Sequence, residues 1–413
     1  MKSANSSTKI VSFLLAAYPI LWIYNSPISI FSWGDLLMLL FLCYCVLNNR
    51  KPLLSFPPGY TMFWVVIAIL NVIVGISHIT PSVLIPGGFG FALFSIILGI
   101  SIRYIDYALF LKYYKLIFIV AAGILFFQEL TWQVMGYRMS FLFPFGTLHD
   151  GASIEKLISV QMYDDRSCSL FREPAHFAQY AIPLLVVELF SGKNIDRILT
   201  RMSMFIVFTL VVLRSGNGFI AIMILAAIKL GVYIFNSHSR YKYIILVCTI
   251  VAASLTISKY IETEAGTDLI ERTAEMEYDE TAASYIRIYR GYMIFGEYSL
   301  YNKLVGMHAD DVLSFARHSG ASNLFTGDYI ADSYYNGVQN SLLYTGILGT
   351  FSLCLMLFIL SRNNTASSRT LIFIFIVLSF IAQTHLSYLM LYTLYISTQE
   401  QKRLFKNESR LLH

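Results

Sequence analysis

The chain consists of long apolar stretches that end in charges, prolines or polar clusters. Most of these stretches approach the length that an α-helix needs to cross a bilayer, and none alternates as a barrel strand does. The pattern therefore predicts an all-α protein. The apolar stretches lie at residues 10–25, 30–48, 59–79, 84–102, 115–136, 173–190, 203–215, 217–236, 243–258, 335–360 and 370–399.

The last stretch has two interpretations, either one long helix or a short hairpin that turns near Thr384 and His385. If the N-terminus is cytoplasmic, the basic short loops all lie on the cytoplasmic side. Only the hairpin then keeps the basic C-terminal segment on that side. This predicts about twelve transmembrane helices, with larger outward-facing loops at residues 137–172 and 259–333. The basic residues of the short loops are Arg50, Lys51, Arg103, Lys112, Lys115, Lys193, Arg197, Arg201, Arg240, Lys242, Arg362 and Arg369.

Composition excludes an ordinary soluble domain. Of 413 residues, 56% are apolar and 13% are charged, whereas charged residues make up about a quarter of a soluble domain. The net charge of +5 is spread along the loops, so it does not indicate nucleic acid as a partner. The five cysteines offer neither a disulfide framework nor a metal site. We expect one integral membrane domain over residues 1–413, embedded in the lipid bilayer and without a cofactor.

A cluster of ionisable residues lies at the start of the sixth apolar stretch, in the run 166–180. Such groups are costly near the bilayer, so their presence indicates a function. Pro174 suits the first turn of a helix and places Glu173 near the positive end of its dipole. The alternative is that the charged residues are interfacial anchors and the histidine is an ordinary helix residue. The ionisable residues are Arg166, Arg172, Glu173 and His176.

A second basic run lies at residues 284–292, in the longer outer loop. Arg287 and Arg290 lie three residues apart, so they share a face of a helix. Two guanidinium groups on one face fit a pyrophosphate, and neighbouring tyrosines suit the faces of sugars. Alternatively, both arginines pair with the acidic stretch at 262–280. The neighbouring tyrosines are Tyr285 and Tyr289.

Four other residues are candidates for the outer site. Arg214 lies in a short glycine-containing turn from which it could reach a lipid phosphate, although that turn could also be a tight helix connection. His308 is a candidate base, but a histidine in such a loop is more often merely exposed. Tyr334 and Asn336 lie at the outer mouth of the next apolar stretch.

Four short patterns, taken together in chain order, resemble the Wzy-type O-antigen and capsule polymerases, whose relatives are the O-antigen ligases. The resemblance implies a GT-C-like glycosyltransferase of the bacterial inner membrane. It would act without a metal on undecaprenyl pyrophosphate-linked oligosaccharides at the periplasmic face, with a chain-length regulator and a flippase as candidate partners. The patterns are Arg-x-x-Ser-x-Phe-x-Glu-Pro at 166–174, Arg-Ser-Gly-Asn-Gly at 214–218, Ser-x-x-Arg-x-x-Arg at 284–290 and Tyr-x-Asn-Gly at 334–337.

The expected mechanism moves the growing chain from its lipid carrier onto the terminal sugar of a new repeat unit. Glu173 is the first choice of base for the acceptor hydroxyl, with His176 and His308 as alternatives. We expect Glu173 to face the arginines of the 284–290 run across an outward-opening cavity. The residues expected to hold the pyrophosphate are Arg166, Arg172, Arg214, Arg287 and Arg290.

Two other functions are compatible with parts of the pattern. A ligase would share the architecture and transfer the sugar chain to lipid A core, and His308 keeps this function open. A flippase or transporter belongs to a different class, which usually has ionisable residues in mid-span and repeated halves. Asp35 and Lys229 lie near the ends of their stretches and no repeat is visible, so we expect an enzyme.

Overall fold

The computed structural model describes residues 6–28, 30–48, 54–76, 81–143, 147–148, 153–163, 166–191, 199–236, 283–320 and 335–411. Within these ranges the chain is helical, and its β-structure is limited to two isolated bridges. The predicted all-α class is confirmed for the residues described. The helices are α1 Ser6–Leu21, α2 Trp33–Asn48, α3 Tyr60–Ile76, α4 Pro81–Tyr104, α5 Tyr107–Met135, α6 Ile154–Tyr163, α7 Pro174–Phe190, α8 Arg201–Val212, α9 Gly216–Asn236, α10 Ala283–Glu297, α11 Leu300–Val305, α12 Ala309–Arg317, α13 Gly337–Ser361, α14 Ala366–Ser379 and α15 Tyr388–Leu411.

Two described helices, α5 and α13, are long and apolar enough to cross a membrane, with 29 and 25 residues. This is consistent with a helical membrane protein. It is fewer than the predicted twelve spans, because the apolar segments of seven further helices in the described ranges are only 10–17 residues long. The predicted stretch 243–258 lies outside the described residues.

Helix α7 forms the centre of the bundle. Fifteen of its seventeen residues are buried, and it contacts α5, α8, α9, α14 and α15. A helix that is apolar around its whole circumference can be buried on every side, which explains this central position. The ionisable run that precedes α7 is thereby placed at one end of the core.

Tyrosine hydroxyls tie α1 to its neighbours. Pro19 has no N–H group, so the carbonyl of Leu15, four residues earlier, loses its donor within α1. The Tyr392 hydroxyl of α15 donates to this carbonyl at 2.7 Å, and Tyr180 of α7 donates to the carbonyl of Ala16 at 3.0 Å. These bonds satisfy backbone acceptors inside an apolar core.

Helix α13 is broken at Gly346, whose φ of +62° is outside the helical range. The short helix α11 and the loop after it pack at this break, where the Met307 N–H donates to the Leu343 carbonyl at 2.9 Å. A Cβ atom on Gly346 would lie 2.4 Å from the carbonyl oxygen of Leu304. The predicted stretch 335–360 is therefore two helical segments, and the break between them is where α11 and the loop 306–308 pack against the bundle.

The predicted hairpin at the C-terminal end is confirmed. Helix α14 ends at Ser379 and α15 begins at Tyr388, so the chain reverses around Thr384 and His385. The hydroxyls of Ser379 and Thr384 are hydrogen-bonded at 2.6 Å. Leu386 adopts a φ of +51°, a conformation usually taken by glycine.

Candidate functional site

The segment 166–173 is held by buried side chains of the helices around it. The Ser169 N–H donates to Oε1 of Gln128 at 2.8 Å, and the Ser169 hydroxyl donates to the Ala121 carbonyl at 2.6 Å. Both acceptors belong to α5. Phe171 stacks on Phe177 of α7 with ring centroids 4.9 Å apart. The segment is thus held in place by its contacts with α5 and α7.

The ionisable side chains of the same segment are less buried than the residues that pack it. Glu173 is exposed, and Arg166 and Arg172 are half-buried. Glu173 is the N-cap residue of α7 but makes no side-chain capping bond, and Pro174 follows it at the first helical position. Its carboxylate is therefore held near the positive end of a helix without being used to cap it. The predicted helix start at residues 173 and 174 is confirmed.

His176 lies in the first turn of α7 and is half-buried. The Tyr388 hydroxyl of α15 donates to the His176 carbonyl at 3.0 Å, and the two rings meet edge to face at 6.3 Å. Glu173 is close enough to both residues to interact with them electrostatically. The structure thus brings together Glu173 and His176, two of the three candidate bases.

Arg214 takes part in a polar cluster that also contains residues not predicted as functional. Its guanidinium lies 3.2 Å from Glu129 of α5. Glu129 also accepts the hydroxyl of Ser167 at 2.6 Å and lies 3.5 Å from Arg138, which is 1% exposed. This geometry favours the tight-connection interpretation of the turn 214–218, because Arg214 links it to α5. Contact of Arg214 with a lipid phosphate stays a prediction.

One sequence signal could have identified this cluster. Glu129 is the one acidic residue of α5, and an acid in an apolar helix needs a partner. Arg138 follows nine residues later and Arg214 lies in the predicted turn at the same end of the bundle. The link from Glu129 to Ser167 spans 38 residues, so only the folded structure could reveal it.

Arg290 lies inside the wall formed by α10 and the start of α13. It is 1% exposed, and its guanidinium lies over the ring of Tyr335 at 5.3 Å. Tyr289, the preceding residue, is 46% exposed. A phosphate contact by Arg290 stays a prediction, since the side chain is enclosed here. The side chains of Tyr285, Arg287 and Tyr334 lie outside the described residues.

Asn336 caps α13. It is 0% exposed, its side-chain oxygen accepts the Gln339 N–H at 2.9 Å, and its Nδ2 donates to the Phe380 carbonyl at 2.9 Å. It is also hydrogen-bonded to the hydroxyl of Tyr292. The geometry supports a positioning role instead of the predicted substrate contact, because these buried bonds occupy the side chain. The bond to Phe380 connects α13 with the turn between α14 and α15.

A cavity of about 310 Å³ lies between α3, the loop 306–308, the start of α13 and the turn after α14. His308, the third candidate base, is in its lining. Glu173 and Arg290 are not in this lining, so this cavity is not the one predicted between Glu173 and the second basic run. That cavity stays a prediction, because the side chain of Arg287 lies outside the described residues. The polar lining residues are Asn71, His308, Asn340, Tyr344, Thr345, Gln383 and His385.

His385 is the most distinctive residue of this cavity. Burial lowers the pKa of its imidazole to about 4, so the ring is neutral at pH 7. Its Nδ1 is buried and has no hydrogen-bond partner in the described part of the chain. A neutral imidazole has one nitrogen that donates a hydrogen bond and one that accepts, so either can pair with a hydroxyl group. Since Tyr388 contacts His176, the turn that carries His385 also connects the cavity with the Glu173–His176 pair.

Within the described ranges, no group of three His, Cys, Asp or Glu side chains is arranged to hold a metal ion. A metal-independent reaction stays a prediction. No protein-family model matches the chain, and no curated protein matches it either. The functional assignment therefore depends on the residues and geometry described above.

Proposed function

We propose that the protein is a glycosyltransferase of the bacterial inner membrane that polymerises undecaprenyl pyrophosphate-linked oligosaccharide repeat units at the periplasmic face. The fold would be GT-C-like with about twelve spans. The observation that carries the proposal is the segment 166–173, in which buried hydrogen bonds fix the backbone while two arginines and a glutamate remain accessible. Such preorganised charges suit a reaction that releases an anion.

The reaction breaks the bond between the anomeric carbon of the growing chain and its pyrophosphate. The arginines at 166 and 172 stabilise the negative charge that develops on the leaving pyrophosphate. A hydroxyl of the incoming repeat unit forms the new glycosidic bond, and its proton passes to the Glu173 carboxylate. Glu173 suits this role because it is exposed and not used as a cap.

The cavity next to the α14–α15 turn is a suitable place for the acceptor sugars. It combines apolar residues of α3 with hydroxyl, amide and imidazole groups, a mixture that fits carbohydrate faces and hydroxyls. The Nδ1 of His385, which has no hydrogen-bond partner among the described residues, would gain a hydrogen bond from a sugar hydroxyl.

The test compares Glu173→Gln with a matched control, Glu155→Gln, an exposed acid of α6 in the same outer segment. Purified protein is incubated with a defined lipid-linked repeat unit and the product length is measured. We expect Glu173→Gln to lower the polymerisation rate by about a hundredfold or more and Glu155→Gln to leave it unchanged. Normal polymer length with Glu173→Gln would rule out this assignment of the base.

A ligase is the second candidate, because His308 lines the cavity and could serve as base there. The two functions differ in the phenotype of cells that lack the protein. Loss of a ligase removes all attached repeat units, whereas loss of a polymerase leaves single units attached. Absence of even single attached units would favour the ligase.

A further inference from the structure

A basic cavity lies at the end of the bundle opposite segment 166–173. Helix α5 contacts that segment near Gln128, whereas the cavity is formed by the first turns of α5 and the C-terminal part of α15. Its volume is about 750 Å³. The ionisable residues of its lining are Asp106, Lys112, Lys115, Arg403 and Lys406.

Hydrogen bonds between helices hold the walls of this cavity together. Gln399 and Lys402 of α15 donate to the carbonyl of Ile102 in α4, at 3.1 and 3.3 Å. The hydroxyl of Tyr107, the first residue of α5, donates to Glu400 at 2.8 Å. The α4–α5 corner and α15 are therefore joined, so the walls of this open cavity are held in fixed positions relative to each other.

The acidic residues around the cavity already have partners. Glu400 lies 3.5 Å from Arg403, and Glu188 lies 2.5 Å from Lys115. The Asp106 side chain caps α5. Among the described residues around the cavity, basic side chains still outnumber acidic ones, which leaves an excess of positive charge.

The excess charge includes a repulsive pair beside the cavity. Lys402 lies close enough to Arg103 for the two positive charges to interact unfavourably. An anion bound between the helices would relieve this repulsion. Phosphate oxygens are strong acceptors for ammonium and guanidinium groups.

We propose that this cavity binds the phosphate headgroup of an anionic membrane phospholipid. Basic pockets between helices on the cytoplasmic side suit such headgroups. The lining also contains Ile105, Ala108 and Leu111, which offer apolar surface to the adjoining acyl chains and favour a lipid over a free anion. The proposal rests on the membrane orientation proposed above and is independent of the glycosyl transfer.

The test uses a pair of charge-removing variants. Lys112→Gln with Lys406→Gln removes two exposed cavity cations and leaves the Arg403 and Lys115 ion pairs intact. The control, Arg362→Gln with Arg369→Gln, removes two exposed cations from the α13–α14 connection at the same end of the bundle. Retained lipid is measured by native mass spectrometry of the full chain in micelles containing equal phosphatidylglycerol and phosphatidylcholine.

We expect the wild-type protein and the control to retain phosphatidylglycerol in preference to phosphatidylcholine. The cavity variant should lose about tenfold in phosphatidylglycerol retention, and Lys112→Arg with Lys406→Arg should restore it. A matching size-exclusion profile of all variants guards against misfolding. Equal retention of both lipids, an equal loss in the control, or failure of the arginine variant to restore binding would each overturn the proposal. Displacement of phosphatidylglycerol by millimolar inorganic phosphate would instead assign a soluble-anion site and contradict a lipid site.

Discussion

Individual side chains in the bundle satisfy backbone groups that lie away from water. The carbonyl of Leu15, freed by Pro19, is paired by Tyr392. The carbonyl of His176 is paired by Tyr388. In both cases a tyrosine hydroxyl of α15 donates to a backbone carbonyl of a helix that is distant in sequence. Single hydroxyl groups therefore stabilise the packing of the bundle.

Removing the Tyr392 hydroxyl should therefore destabilise the fold. In Tyr392→Phe the Leu15 carbonyl loses its donor, and we expect a loss of roughly 0.5 to 2 kcal/mol in unfolding free energy. Tyr395→Phe is the control, because the Tyr395 hydroxyl is buried without a hydrogen-bond partner among the described residues. Its removal should be neutral or slightly stabilising. Thermal unfolding in detergent measures both variants, and an equal effect of the two would contradict the role given to Tyr392.

At the residue scale, the sequence predicts which side chains are chemically unusual better than it predicts their partners. Glu173 is exposed, and Arg166 and Arg172 are half-buried. In contrast, Asn336 is a buried cap that is bonded to Phe380 of the α14–α15 turn, and Arg290 is an enclosed cation that lies over the ring of Tyr335. These partners lie more than forty residues away along the chain, and periodicity carries no information about them.

For the helices too, the sequence predicts local properties better than contacts with distant parts of the chain. Apolar stretches predict most helices of the described chain to within a few residues at one end or both, since burial and helix length depend on local composition. The break in α13 was not predicted. It depends on the approach of α11, about forty residues earlier in the chain, and an isolated glycine in an apolar stretch does not identify such a contact.

A substitution at this break should separate α11 from α13. Gly346→Ala places a Cβ atom 2.4 Å from the Leu304 carbonyl oxygen and forces alanine to adopt a φ of +62°. We expect a loss of about 1 to 3 kcal/mol from backbone strain, with a further penalty from the clash. Because Met307 and His308 follow α11, the cavity should also lose its shape.

Gly123→Ala in α5 is the matched control, because a Cβ atom there meets nothing within 4 Å. It should be neutral or stabilise the helix by up to about 1 kcal/mol. Thermal unfolding measures stability, and protection of a cysteine introduced at Asn71 from thiol reagents reports the cavity. Unchanged stability and protection in Gly346→Ala would show that the close approach at the break is unimportant.

At the scale of the whole molecule, the confirmed hairpin connects the start of α13 with the Glu173–His176 pair of α7. Its turn contacts the cap of α13 on one side, through the Phe380 carbonyl. On the other side it leads into Tyr388, which contacts His176. The sequence predicts the hairpin from the basic residues of the loops, but the contacts of its turn become visible only in the structure.

The orientation of this hairpin decides the span count and the side on which the site lies. Helix α14 has 14 residues, which corresponds to roughly 21 Å, whereas the hydrocarbon core of a bilayer is about 30 Å thick. If α14 crosses nevertheless, Arg362 before it and Gln383 after it lie on opposite sides of the membrane.

This is tested with single cysteines at these two exposed positions, in a background without the five native cysteines. The cysteines are labelled with a membrane-impermeant maleimide. We expect Gln383→Cys to be labelled in intact cells together with Glu155→Cys in α6, and Arg362→Cys only after permeabilisation. Labelling of positions 362 and 383 from the same side would mean that α14 does not cross. The proposed twelve-span count would then fail, and α15 would begin on the side opposite to Glu173 even though Tyr388 contacts His176.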